Sequence, residues 1–218
     1  MTLADKVNPV LTALLIIDMQ KDFCCEGGTF DRRGFDTKPA RELVPRLNLF
    51  LEKVRKILTW IVHIKMTKIV ELRSEANAEH YSRLGIKRVH DPSYSEFFEI
   101  VPLENEIVIP KYTYSAFFST YLDQYLRAHC ITTLVLTGIA TNVCVEAAAR
   151  DAFMRDYHVV VPRDLTEGTS PEAKEASLKN IDLFFGEVTE SPVLLSCWGE
   201  GIDRAAYPRV LTHVLSDK

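Results

Sequence analysis

Three residues of this chain could do chemistry together: Asp18, Lys111 and Cys144. A cysteine supplies a nucleophile, a carboxylate takes and returns its proton, and an ammonium group favours both anions. Each is ambiguous alone. Cys144 sits in TGIATNVCVEAAARDAF, where a strand is expected to end at Thr137 and a helix to begin at Thr141 or Asn142, both good caps. Free N–H groups and the positive end of the helix dipole gather at such a start, so a thiol there should lose its proton more easily. A buried core cysteine has the same sequence context. Asp18 closes the apolar run LTALLII and could equally shape a turn. Lys111 follows Pro110 at the end of EIVIP, and a lysine there could simply face water. Position is what joins them. Each follows the carboxyl end of an expected strand or opens the next helix. In a parallel sheet those ends share one rim, where α/β folds keep their ligand crevice.

The elements that must position them follow from hydrophobic spacing. Residues 11–17, 60–66, 106–110, 131–137 and 157–162 are short apolar or β-branched runs, the pattern of strands buried on both faces. Residues 186–190 could add an edge strand. Between them, 39–58 carries Leu43, Leu47, Phe50, Leu51, Val54 and Leu58 at helical spacing. Helices are also expected near 118–129, over 142–156, and over 171–184, where Pro171 suits a first turn. Strands alternating with helices imply a parallel sheet covered on both faces. Residues 67–105 are polar and mixed, with a weak helical pattern over 74–88, and are expected to form an insertion or lid. The whole of 1–218 is expected to be one domain, with a C-terminal extension over 191–218 whose Trp198 and Tyr207 could pack on a partner subunit.

Composition excludes several classes. The 218 residues are 47% hydrophobic and 26% charged, ordinary for a soluble globular chain, and 10% aromatic, too rich for disorder. Thirty acids against 26 bases give a net charge of -4, which argues against a nucleic-acid or anionic-membrane partner. No apolar run is long enough to span a bilayer, and the first residues do not resemble a signal peptide. The cysteines, Cys24, Cys25, Cys130, Cys144 and Cys197, are odd in number and irregularly spaced, so free thiols and a cytoplasmic setting are expected. The vicinal pair Cys24–Cys25 fits small residues filling a tight loop, or a redox role. Dinucleotide, P-loop and serine-hydrolase glycine motifs are missing. The histidines form no H-x-H or H-x-x-x-H pair and there is no C-x-x-C, so neither a metal nor a cofactor is expected.

Three stretches, LLIIDMQKDFC, IVIPKYTYSAFFST and TGIATNVCVEAAARDAF, resemble in order and spacing the signature segments of the isochorismatase-like cysteine hydrolase family. The resemblance covers roughly residues 10–190. It implies a Rossmann-like, three-layer α/β/α fold with a central, mostly parallel sheet of about six strands. It implies Cys144 as nucleophile, Asp18 as general base and acid, and Lys111 as the third member. It also implies a cis peptide at Ile139–Ala140, aiming the Ala140 N–H together with the Cys144 N–H at one point as an oxyanion hole.

Within that family, isochorismate-cleaving members typically lack the cysteine, so Cys144 favours acyl chemistry. Nicotinamidase members carry metal-binding Asp and His after the second strand, whereas this chain has HIKMTKIVELR, with His80 and His90 further on and unpaired. The resemblance is therefore to the metal-free amidohydrolases of ureido and carbamoyl compounds, acting on a small amide through a thioester. Phe23 and Tyr114 match aromatics that line the site in this branch, or they serve core packing. Lys21, Lys65, Lys68 and Arg73 could meet a substrate carboxylate. Relatives are commonly dimers or tetramers, so a homo-oligomer is expected. A nicotinamide or isochorismate hydrolase, or a silent binding or assembly protein on the same scaffold, is the alternative.

Overall fold

The structure is a computed structural model that describes residues 1–69, 74–86 and 91–199. Its frame is a parallel sheet. The strands are β1 (Thr12–Ile17), β2 (Trp60–Met66), β3 (Ile107–Lys111), β4 (Thr133–Ile139), β5 (His158–Pro162), β6 (Thr166–Glu167) and β7 (Glu187–Thr189). They lie in the order β3-β2-β1-β4-β5-β7, with the two-residue β6 on the end of β4, and all of these pairings are parallel. The described sheet thus has seven strands rather than about six, the extra one being β6. Every residue of β1 and of β4 is buried. Alternation explains why both strands read as unbroken apolar runs. Ala13, Leu15 and Ile17 feed one core layer, while Leu14 and Ile16 feed the other.

Helices close both faces. On the Leu14 side lie α1 (Lys38–Val54), through Leu43, Leu47, Phe50, Leu51 and Val54, and, after the sheet's last strand, a helix over Ser191–Gly199. On the Leu15 side lie the helices over Leu122–Ala128, Glu146–Met154 and Pro171–Phe184. In chain order, with α2 over Glu75–Arg83, these are α3, α4, α5 and, over Ser191–Gly199, α6. Helix α4 turns Ala148, Ala149 and Ala152 to the sheet, and such small side chains permit a close approach. Helix α5 starts where Pro171 suggests, with the Ser170 hydroxyl accepting from the Ala173 N–H.

Several boundaries differ from expectation for identifiable reasons. Strand β4 runs two residues past Thr137, to Ile139, where β6 gives it a further partner. Strand β3 includes Lys111, because its carbonyl accepts from the Thr67 N–H. Helix α3 begins at Leu122, not near 118. Before it, the hydroxyls of Ser115 and Thr120 take the backbone groups of Phe117, Ala116 and Leu122, which competes with helix formation. Helix α1 stops at Val54, where Arg55 turns to Glu106. Trp198 does not await a partner subunit. It is buried on its own chain, its indole N–H donating to the Val7 carbonyl and its ring facing Phe50. Tyr207, Arg73 and His90 lie outside the described residues. No described helix is long and apolar enough to cross a membrane.

Two features set the sheet's geometry near its carboxyl ends and at its flank. Gly138 has φ +100, and an added Cβ would stand 2.1 Å from the Ile17 carbonyl oxygen. Only glycine lets β4 pass β1 this closely in that conformation. At the flank, Glu106 receives two bonds from Arg55 (2.7 and 2.9 Å), one from the Leu103 N–H (2.9 Å) and one from buried His63 (2.8 Å). This ties the end of α1 to β2 and to the start of β3. Burial alone would raise the Glu106 carboxyl, but these donors outweigh it and bring it down to about 2.

Gly138→Ala is expected to destabilise the protein by about 2 kcal/mol or more through strain and overpacking, lowering the thermal midpoint by roughly 5 °C or more. An unchanged midpoint would show that β4 and β1 can part at no cost. For Glu106 the folded carboxyl is the stronger acid, so its contribution is present above the ordinary glutamate range and is lost as pH falls toward about 2. Urea midpoints measured from pH 6 down to pH 2.5 should therefore fall more steeply for the native chain than for Glu106→Gln.

Candidate active site

The strand order reverses between β1 and β4, with β2 and β3 on one side and β5 and β7 on the other. That reversal opens a crevice beyond the strand ends. Asp18 leaves β1 there and Cys144 follows β4. At Asp18 the chain takes φ +54, a left-handed conformation that aspartate tolerates better than most residues. The turn is pinned by the Asp18 N–H on the Ile64 carbonyl (3.0 Å) and by the Gln20 N–H on the Asp18 carbonyl (2.7 Å). The buried Gln20 amide then stitches the loop to its neighbours. It accepts from the Met66 N–H (2.7 Å) and donates to the carbonyls of Met66 (3.0 Å) and Ser95 (2.8 Å).

Lys111 ends β3, two strands away from β1. Neighbouring strands lie about 4.8 Å apart, so only a long side chain from β3 can pass the end of β2 and reach Asp18. It does so. Its ammonium is 2.6 Å from Asp18 Oδ2 and donates to the Tyr114 carbonyl at 2.7 Å. Cys144 lies against both charged groups. It belongs to a π-helical turn over Thr141–Val145 that precedes α4, and it follows a cis peptide between Ile139 and Ala140. The structure thus brings Asp18, Lys111 and Cys144 together at one rim.

The trio is closed to water: Asp18 is 1% exposed, Lys111 0% and Cys144 6%. Two surface cavities of about 450 and 480 Å³, one beside Tyr112 and Arg155 and one beside Arg163 and Glu190, are lined by none of the three. Burial dominates the proton affinities. It raises Asp18 above the ordinary aspartate range, against the pull of Lys111. It works against the Lys111 charge too, but Asp18 and Cys144 outweigh it, so the ammonium holds its proton more tightly than usual. The Cys144 thiol is pushed up to about 12, by burial first and the Asp18 charge second, against Lys111. The easier deprotonation expected of a helix start is therefore reversed. The resting group is a neutral thiol beside an ion-paired carboxylate whose basicity burial has increased.

The other residues considered for the site lie around it as follows. Phe23 is buried in the α1-side core, edge-on to Phe30 at 5.0 Å. The Tyr114 side chain packs on the opposite core, and it is the Tyr114 backbone carbonyl that meets Lys111. Among the basic candidates, Lys21 pairs with Glu96, Lys68 pairs with Asp22, and Lys65 lies over the Phe97 ring. Cys24 is buried in a short helical turn and Cys25 half-buried after it, both as free thiols. No cluster of three or more metal-ligating side chains occurs among the described residues. Sequence reasoning missed the Tyr114 carbonyl, since a backbone acceptor leaves no residue-type signal. It also missed Gln20, whose only signal was a long amide two residues after Asp18.

Comparison with known proteins gives the family and the fold. The isochorismatase domain family matches residues 12–192. A ureidoacrylate amidohydrolase of Klebsiella pneumoniae is 33% identical over 199 residues, covering 84% of each chain. Among solved structures, a cysteine hydrolase from Pseudomonas syringae superposes with a TM-score of 0.76 at 26% identity, over 89% of this chain and 95% of that one. An N-carbamoylsarcosine amidase from Thermoplasma acidophilum gives 0.66 at 26% identity, over 88% and 98%.

A thiol titrating near 12 should react with iodoacetamide about tenfold faster for each pH unit between 7 and 10, with no plateau. Site-resolved mass spectrometry of the Cys144 peptide reads this directly. A rate already level at pH 8 would mean that Lys111, and not burial, controls the sulfur.

Proposed function

The chain belongs to the isochorismatase family, and from that premise we propose that it is a cysteine-dependent amidohydrolase, cleaving a C–N bond of a small ureido or carbamoyl compound with release of ammonia or an amine. One observation carries the reading: a fully buried ammonium–carboxylate pair, 2.6 Å apart, set against a buried thiol. Burying two charges is costly, and a core built only for stability does better with apolar residues. The names of the relatives, a ureidoacrylate amidohydrolase and an N-carbamoylsarcosine amidase, supply the substrate class.

The steps follow from the proton affinities. A thiol near 12 is not ionised in advance, so Asp18 takes its proton as sulfur bonds to the carbonyl carbon. The raised affinity of Asp18 suits it to accept. The carbonyl electrons move to oxygen, and the N–H groups of Ala140 and Cys144 form the oxyanion hole. Protonated Asp18 then gives the proton to the leaving nitrogen as the C–N bond breaks, leaving an acyl group on sulfur. Water enters, Asp18 takes one of its protons, and hydroxide attacks the acyl carbon. The C–S bond breaks, the acid departs, and Asp18 returns the proton to sulfur. Lys111 remains charged throughout and stabilises the negative charge that builds up on sulfur and carboxylate.

Cys144→Ser should lower kcat/KM by about three orders of magnitude or more, as losses of a nucleophile do. Ammonia release measured on ureidoacrylate, N-carbamoylsarcosine, biuret and nicotinamide identifies the substrate class. Rapid quenching should show an acyl adduct on the Cys144 peptide. Full activity of Cys144→Ser would overturn the covalent route, and turnover of nicotinamide alone would overturn the substrate class. Activity should also fall as pH drops through the raised Asp18 value, because the base must be ionised.

A further inference from the structure

The Lys111 ammonium is held by two oxygens, one from Asp18 and one from the backbone of Tyr114. The second belongs to a stretch, 112–120, that is neither helix nor strand, so no regular ladder fixes that carbonyl and side-chain contacts must. The neighbouring side chain does. Ser115 donates its hydroxyl proton to the Asp151 carboxylate, and its oxygen accepts from the Phe117 N–H at 3.1 Å. Asp151 also accepts from Arg155 at 3.1 Å, and the Arg155 guanidinium lies 5.1 Å from the Phe117 ring centre. Asp151 is seven residues after Cys144, about two helical turns on, and so on the same side of the same segment. One helix therefore presents the thiol at its start and grips the lysine's loop two turns later.

We propose that Asp151, acting through Ser115, is a positioning residue: it holds the Tyr114 carbonyl against the Lys111 ammonium and thereby aims that charge at Asp18 and Cys144. The proposal rests on the amidohydrolase reading only for its consequence in turnover. Its geometry stands apart from the identity of the substrate. Without the grip, the 112–120 stretch is free to shift, and the ammonium loses one of its two oxygens. Asp18 and Lys111 are the charged groups that act on Cys144, and Lys111 alone opposes the upward push on the thiol. A drifting ammonium therefore leaves the thiol harder to ionise.

The test is the alkylation rate of the Cys144 peptide by iodoacetamide at pH 9, compared among the native chain, Ser115→Ala, Asp151→Asn and Ser115→Thr. Ser115→Ala and Asp151→Asn should react about three- to tenfold more slowly, following the lower thiolate fraction. Ser115→Thr keeps the hydroxyl and should restore the native rate. A purely structural loss acts in the opposite direction, since loosening exposes the buried sulfur and speeds its reaction. Alkylation of Ser115→Ala at or above the native rate overturns the proposal. Should Asp151→Asn fail to fold, Ser115→Ala, which leaves the Asp151–Arg155 pair in place, decides alone. Kinetics on a ureido substrate should show kcat falling with KM little changed. A native chain that turns over no ureido compound would count against the functional reading only, because the labelling result does not depend on it.

Discussion

A charged lysine with no contact with water constrains everything around it. Taken from water, an ammonium group must be given back its lost solvation by oxygens at close range, or it will shed its proton or drag the structure open. Lys111 has Asp18 and the Tyr114 carbonyl, at 2.6 and 2.7 Å. Removing either leaves an undercompensated charge in the core. The loop after β1, the bend after β3 and the turn after β4 are therefore not free to vary independently. The Gln20 amide on one side and the Ser115–Asp151 contact on the other are what such a constraint requires of the surroundings.

The same low-polarity setting explains the order of proton affinities. An isolated helix start lowers a thiol's pKa, and that was the expectation for Cys144. Here the segment around the cysteine is a π-helical turn, buried, with a carboxylate beside it, and these influences push the other way. A neutral thiol is less prone to stray oxidation or alkylation than a thiolate. Thiol and carboxylate thus rest as a neutral group beside an ion-paired one.

Much of this was legible in the sequence, for reasons that can be named. The five strands β1 to β5 announce themselves because each is short, apolar or β-branched and bounded by turn residues, and their alternation with helices implies the parallel sheet; the three residues of β7 could be offered only as an edge strand. Asp18, Lys111 and Cys144 stand out because parallel strands put their carboxyl ends on one rim. The two-residue β6 was beyond reach, since nothing distinguishes Thr166–Glu167 from loop. The late start of α3 depended on hydroxyls that compete for backbone groups, a tertiary outcome of where Ser115 and Thr120 point. The burial that sets the Cys144 thiol high cannot be read locally, because it comes from β1 and β3, more than thirty residues away in either case. Trp198 shows the same limit: an aromatic near a chain's end reads alike whether it meets its own core or another molecule.

The strand order carries a consequence for how the chain is made. β1 is central, flanked by β2 and β4, so its second neighbour is synthesised more than a hundred residues after it. At about 5–20 residues per second on the ribosome, the LLII segment waits several seconds or longer with one edge unmatched. The grouping of Asp18, Lys111 and Cys144, drawn from both ends of that wait, can form only once β4 and the turn after it have been made.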